Sequence, residues 1–519
     1  MTTRQEIAIP AQVGERAIRN APALPRARPG FLERLGSLRL AAVGALAAVT
    51  FVCLFGHTHV VPGQIPPSSW FGLLSVPGSV ATRGFLSIAA WMAAILLALC
   101  WYGFMRNALA GRLSVRVAAA TAAVWAAPFA IGPPLTSLDI YSFAAQGKLL
   151  QGGHSPYVRG PAALGHGDFL AAVDPRWRNA LSPYGPVGLR FEWLSALLGR
   201  GDATATVVWL RVLTILCVAG AIVLAVALAS PARRPLTVVL LAMNPLLLVT
   251  GVSAGHLEAL MLVMMLAAVL AERRHRPVQA LVLSVAAGLV KAPALLLTVF
   301  LVVEHLRAAA PYRARRFTAL RDGAAVVGAL AAGTLLLPKG WGWIGTAVQT
   351  PASGRALWTP STAVAEVFTA FGRWFGVDPS LDHVLSVTRL IGDVAALAVV
   401  IILLRRSGNY EARLGAALVA VAVLGVVLYP WYLLWGIPIL IVSARRRLTS
   451  FVTLAVVVFA TIYLWPEPKE AVAAGGALVG TLGKDPLVEL LFLVTVAVAA
   501  AQFLLWRRVV STRLAALAD

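Results

Sequence analysis

The chain reads as long apolar runs separated by short polar breaks. Runs close to the roughly 20 residues that cross a bilayer recur at about 37–56, 84–105 and 115–133, then in series beyond residue 204. Lys and Arg gather at alternate breaks, and such clusters stay cytoplasmic. Arg16, Arg19, Arg26, Arg28 and Arg34 place the N-terminal segment inside, and Arg106, Arg112 and Arg116 mark the turn after the second run. Arg233-Arg234, "ERRHR" at 272–276, Arg313 to Arg316, Arg405-Arg406, Arg445 to Arg447 and Arg507-Arg508 continue the series. The alternation predicts an all-α polytopic membrane protein with about fourteen spans. One transmembrane domain covers 36–510, with cytoplasmic tails at 1–35 and 511–519.

Two outer segments, about 134–204 and 339–383, exceed ordinary connections. Between "ERRHR" and the next basic cluster lies "PVQALVLSVAAGLVKAPALLLTVFLVVEHL". It starts and finishes inside and is too long for one span. Proline disfavours a continuous helix, so two short helices should meet at Lys291-Ala292-Pro293. In this threading Asp139, His256, Glu258, Lys291 and the pair Tyr429 and Trp431 all fall at outer span ends. Polar groups beside hydrocarbon are costly and mark function by default.

Composition agrees. Of 519 residues, 59% are hydrophobic and 13% charged, against about a quarter charged in soluble domains. The net charge of +22 sits in short arginine clusters between apolar runs, so it reads as a topology signal and not as a nucleic-acid footprint. Cys53, Cys100 and Cys217 lie within apolar runs and read as packing residues. Residues 1–35 are rich in Pro and Arg without an apolar face, the signature of a disordered tail. The first apolar run starts too far in for a signal peptide and should remain a helix. Walker A, Rossmann and HExxH patterns do not occur in a fitting context, so neither a cytosolic nucleotide site nor a metal is expected.

The densest chemistry is "SLDIYSFAAQGKLLQGGHSPY", Ser137 to Tyr157. Ser137 or Asp139 can cap a helix through "IYSFAAQGKLL", in which Asp139, Phe143, Gln146 and Leu150 share a face. Asp139 can equally act as a general base at the outer membrane boundary. In "AVDPRWRNALSPYGP", Arg176 and Arg178 suit a phosphate or serve as interfacial anchors, beside Asp174 and Tyr184. His256 and Glu258 in "GHLEAL" are two residues apart and point to different helix faces. His256 can donate to a phosphate oxygen, and Glu258 suits a helix N-terminus. Asn244 in "MNP" can satisfy backbone freed by Pro245. Lys291 either snorkels or offers a point charge to a phosphate. "YPWYLLW", 429–435, reads first as an aromatic belt.

Together, the Ser137–Tyr157 stretch, "VDPRW", "SPYGP", "NPLLL…GHLEAL", "KAP" and "YPWYLLW" resemble the actinobacterial polyprenol-phosphomannose-dependent α-1,6-mannosyltransferases. These belong to the GT-C membrane glycosyltransferases, and the resemblance spans most of the membrane region. It implies a multi-span GT-C fold, a polyprenyl-phosphate-mannose donor, a lipid-anchored mannan acceptor of the lipomannan and lipoarabinomannan type, and no nucleotide sugar or cofactor. The acid of the first large outer loop, the usual base, maps onto Asp139. Lys291, Arg176, Arg178 and His256 become candidates for the donor phosphate. Tyr141, Gln146, Asp174, Tyr184, Glu258, Tyr429 and Trp431 become candidates for the substrates. An arabinofuranosyltransferase of the same fold and a lipid-linked sugar flippase are the competing readings. The one-sided clustering of polar sites disfavours the flippase, whose site belongs near the midplane.

Overall fold

The computed structural model describes residues 31–59, 80–352, 354, 356, 359–443 and 448–464. Residues 1–30 of the expected N-terminal tail, the tail at 511–519, the last expected span, the turn at "WPEPKE" and the Arg445–Arg447 cluster lie outside the described residues, while residues 31–35, expected within the disordered tail, are helical.

The described residues are helical throughout, without a strand. Helices α1 (Phe31–His59), α2 (Val80–Leu109) and α3 (Val115–Ile131) form one packed unit. The Trp125 indole of α3 sits where a Cβ on Gly44 would stand, 2.0 Å from its ring, so only glycine admits this approach of α1. Trp125 donates to the Ala41 carbonyl at 3.0 Å and meets Phe104 edge-on at 5.6 Å. Trp101 of α2 donates to the Val239 carbonyl at 2.7 Å, which ties this unit to the next.

The chain then forms the helical segment expected to lie outside, α4 (Asp139–Gln151) packed on α5 (Pro186–Leu198). Gly147 leaves room for the Glu192 carbonyl, 2.3 Å from where its Cβ would be. After α6 (Ala203–Leu228) comes a broken pair, α7 (Arg234–Leu241) and Pro245–Ser253, bent by 47°. Asn244 bridges this break as expected: its amide donates to the Leu240 carbonyl at 3.1 Å and its oxygen accepts from the Leu246 N–H at 2.9 Å. The second half continues as a π-helix over Leu248–Ser253.

Next come α8 (Glu258–Arg273), α9 (Pro277–Gly288), α10 (Leu295–Ala308) and α11 (Tyr312–Thr334). Lys291 is extended (φ −149°, ψ 127°) between α9 and a short 3-10 turn at Ala292–Ala294, so the chain breaks at the proline that predicted it. The outer segment 339–383 is largely helical: α12 (Trp343–Ala352) and α13 (Pro360–Trp374). On α13, Val364, Val367, Phe368, Phe371 and Trp374 are exposed on one side, the pattern of a helix lying at an interface. Then follow α14 (Leu381–Arg405), α15 (Tyr410–Leu424), the 3-10 segment Pro430–Trp435 continuing into Ile437–Val442, and α16 (Leu448–Val458).

Helices fall on the predicted apolar segments, but their lengths differ. Among the described residues, Gly36–Gly56, Leu86–Leu109, Ala203–Leu228 and Leu381–Arg405 are long and apolar enough to cross a membrane, and the bent pair makes a fifth. Val115–Ile131, Pro277–Gly288, Pro430–Val442 and Thr449–Tyr463 are apolar but shorter. The count of clear crossings is therefore four to five. Proline and polar breaks cut the other runs into pieces.

Candidate active site

Two buried groups deliver Asp139. Arg211, inside α6 and 3% exposed, donates to the Phe129 and Gly132 carbonyls at the end of α3. Ser253 accepts from the Leu135 N–H at 3.2 Å and donates to the Pro133 carbonyl at 3.0 Å. The turn from α3 to α4 is thus held from beneath. At its end the Ser137 hydroxyl accepts the Asp139 N–H at 3.1 Å, while Asp139 is the first residue of α4 and makes no capping bond. Neither capping reading holds: Leu138 occupies the N-cap position without a side-chain cap, and the Asp139 carboxylate is left available.

Its neighbour is His256, 0% exposed, with Nε2 3.6 Å from Asp139 Oδ2. The imidazole stacks on Trp431 at 4.0 Å, and Trp431 stacks on Tyr429 at 4.7 Å, nearly parallel. Nδ1 lies 2.8 Å from the Thr250 carbonyl. A carbonyl only accepts, so Nδ1 carries a hydrogen, and when the ring is neutral its lone pair is at Nε2. In that tautomer His256 is not a donor to phosphate.

Glu258 turns the other way, as its spacing from His256 predicts. It is fully buried and forms an ion pair with Lys291. The Lys291 ammonium also lies over the rings of Tyr432 (4.3 Å), Tyr184 (5.2 Å) and Trp435 (5.5 Å), each a favourable seat for a cation. The "SPYGP" turn is docked on this break: Gly185 N–H donates to the Val290 carbonyl at 3.1 Å and Val187 N–H to the Leu289 carbonyl at 3.0 Å. A Cβ on Gly185 would stand 2.2 Å from the Leu289 oxygen, so glycine is required for this close contact.

These elements enclose a cavity of about 300 Å³. Asp139, Ser142, Phe143 and Gln146 form its α4 wall, three of them on the face read from the helical period. Lys291, Tyr184, Tyr429, Tyr432 and Trp435 line another side, and Val421, Val426 and Val427 an apolar flank. The Ser142 hydroxyl and the Gln146 carbonyl oxygen are buried without protein partners. Tyr141 instead turns into the core, where burial pushes its phenol up to about 12. Asp174 caps its own 3-10 turn and binds Arg176 at 2.7–3.2 Å, and that guanidinium holds its carboxyl below the usual range. Arg178 donates to the Val173 carbonyl at 3.2 Å. Asp174, Arg176 and Arg178 are not among the cavity-lining residues, but the intervening Trp177 is.

Arg211, Ser253, Trp177 and Asp393 join the site without being candidates in the sequence. Asp393 also lines the cavity and lies midway along α14, one turn after Arg389, which donates to the Gly354 carbonyl at 2.5 Å. Arg211 and Asp393 had a signal, a charge inside an apolar run. Trp177 stood within the "VDPRW" motif, and Ser253 had no signal.

The model of the alpha-(1->6)-mannopyranosyltransferase N-terminal domain matches residues 41–307, and the MptB C-terminal domain matches 361–505. Alpha-(1->6)-mannopyranosyltransferase A of Mycobacterium tuberculosis is 31% identical over 391 residues, covering 71% of this chain and 74% of the relative. A probable alpha-(1->6)-mannopyranosyltransferase of Mycolicibacterium smegmatis is 29% identical, covering 82% and 80%. Alpha-(1->6)-mannopyranosyltransferase A of Corynebacterium glutamicum is 26% identical, covering 67% and 77%. With its apolar crossings and this breadth of match, the chain is a membrane-bound glycosyltransferase that belongs to the actinobacterial alpha-(1->6)-mannopyranosyltransferase family.

Proposed function

We propose that the protein transfers mannose from a polyprenyl-phosphate-mannose donor to the 6-hydroxyl of an α-1,6-mannan on a lipid anchor, at the outer membrane face, within a GT-C bundle of about fourteen spans. The observation that carries this reading is the uncapped Asp139 carboxylate on the wall of a cavity that also presents Lys291. Asp139 takes the proton of the acceptor hydroxyl. The oxygen attacks the anomeric carbon opposite the phosphate, so a β donor gives an α product. The phosphate monoester leaves without a proton but with growing charge, which a preorganised cation stabilises. Lys291 is the cation among the described lining residues. Arg176, tied to Asp174 outside the cavity lining, is proposed as a second.

Gln146 and Ser142 carry unpartnered oxygens toward a polar ligand, and Tyr429 and Tyr184 offer ring faces to a sugar. The apolar flank at Val421, Val426 and Val427 suits the first isoprene units of the donor. The test is transfer of radiolabelled mannose from polyprenyl-phosphate-mannose to a short α-1,6-linked mannoside in membranes. Transfer that yields an α-1,6 product supports the reading. Membranes that use only a pentofuranosyl donor, or that move the lipid without transferring sugar, would reject it.

A further inference from the structure

We propose that His256 is a positioning residue that holds the proton taken up by Asp139, so that the two act as one composite base. This rests on the reading of Asp139 given above. The argument starts from the tautomer. The Thr250 carbonyl, 2.8 Å from Nδ1, fixes the ring hydrogen there and leaves the lone pair on Nε2. Nε2 is buried without a hydrogen-bond partner and points at Asp139 Oδ2 from 3.6 Å. With Asp139 ionised and the ring neutral, the two face each other acceptor to acceptor. The buried Nε2 then lacks a hydrogen-bond partner, which is costly, and a single proton shared with Asp139 supplies it. The 3.6 Å gap needs to close by only about 0.8 Å, ordinary for a site whose bonds tighten around substrate.

The ring is built into place. The π-helix Leu248–Ser253 presents the Thr250 carbonyl to Nδ1. Gly255, at φ +67°, turns the chain back toward α4, with Ile140 2.7 Å from where its Cβ would stand. Trp431 covers the imidazole face. Other charged and titratable groups around the pair are Arg211 from α6, committed to two carbonyls, Tyr429 and Tyr432 from the 3-10 segment, Tyr184 and Arg176 from the outer segment, and Tyr463. None of them presents a nitrogen lone pair. His256 does not line the cavity, so it works through Asp139.

In the step, the acceptor O–H bond breaks and its proton passes to Asp139. The freed electron pair makes the bond to the anomeric carbon, and the carbon–oxygen bond to phosphate breaks with its electrons on the phosphate. The proton is then held at Nε2, as carboxylate and imidazolium, until it leaves to water with the products.

The experiment compares His256→Phe, which keeps a ring for the stack, with His256→Gln, which keeps a polar group. The assay uses polyprenyl-phosphate-mannose and a short α-1,6-linked mannoside, and each variant's thermal stability is checked in detergent. We expect kcat to fall about a hundredfold in each folded variant, with KM for the donor nearly unchanged and the acid side of the pH–rate profile displaced. Asp139→Asn/His256→Phe should be no slower than Asp139→Asn alone, because residues that act as a unit are not additive. Wild-type kcat and pH profile in either folded variant would overturn the proposal, as would losses that multiply in the double variant. If Asp139→Asn is itself active, the assignment of the base has failed. If Asp139→Asn is dead while the His256 variants are normal, only the inference about His256 has failed.

Discussion

At the end of the bundle that the arginine clusters mark as inner, buried charges meet partners at full hydrogen-bond distance. Arg273 bridges Glu411 at 2.7 and 2.5 Å, His305 sits between Asp322 (2.7 Å) and Glu272 (3.0 Å), and Arg413 meets Glu304 at 2.9 Å. At the other end Asp139 and His256 stand 3.6 Å apart, and one oxygen of Glu258 has no partner. Both ends carry ionisable groups in apolar surroundings. The inner set joins α8, α10, α11 and α15, and its geometry is that of a fastener. The outer set keeps unmet acceptors around a cavity, which costs stability and is tolerated where a ligand completes the bonds.

Variants that swap the two behaviours break or sharpen this contrast. The largest effect should come from Lys291→Ala. It leaves Glu258 buried and uncompensated, so about 3–5 kcal/mol of stability should be lost, along with about tenfold or more in kcat/KM. Adding Glu258→Gln should restore thermal stability in detergent but not the use of donor. Recovery of both would make Lys291 a fastener like those of the inner end. Asp139→Glu should lose about a hundredfold in rate, since one methylene misplaces the carboxylate by about 1 Å, with melting unchanged.

Glu411→Gln, at the inner end, should show the reverse. About 1–3 kcal/mol of stability should go, while kcat per folded molecule stays at the wild-type value. A rate loss there without unfolding would erase the distinction between the ends. The smallest effect concerns Asp174. Its carboxyl titrates below its usual range in the folded protein because Arg176 binds it. The stability it contributes is therefore complete above about pH 4 and fades only as pH falls through the lower folded value. Arg176→Ala should remove that acid dependence by lowering melting slightly at neutral pH while leaving it unchanged in acid, below the folded value.

Much of this was legible in the chain, and the reason differs by feature. The apolar runs gave the helices because a bilayer-sized period is a local property. The break at Lys291 was visible because Pro293 forbids the helix by itself. The α4 face of Asp139, Phe143 and Gln146 followed from the 3.6-residue period. What stayed hidden depends on contacts between distant segments. Nothing local pairs Lys291 with Glu258, stacks Trp431 on His256, or turns Tyr141 inward beside Arg211. Arg211 and Asp393 are visible as charges in apolar runs, but they lie away from the span ends and only the fold brings them to the site. Arg176 and Arg178 read as phosphate ligands by residue type, while their geometry commits them first to Asp174 and to the Val173 carbonyl.

The most direct test of the account is Asp139→Asn, assayed for mannose transfer with donor binding and melting measured on the same preparation. Asn keeps the shape, and the Asp139 side chain makes no capping bond that the substitution could remove. The account predicts a loss of roughly 10²–10⁴ in rate with donor binding and thermal stability retained. A folded Asp139→Asn protein that transfers mannose at the wild-type rate would contradict it.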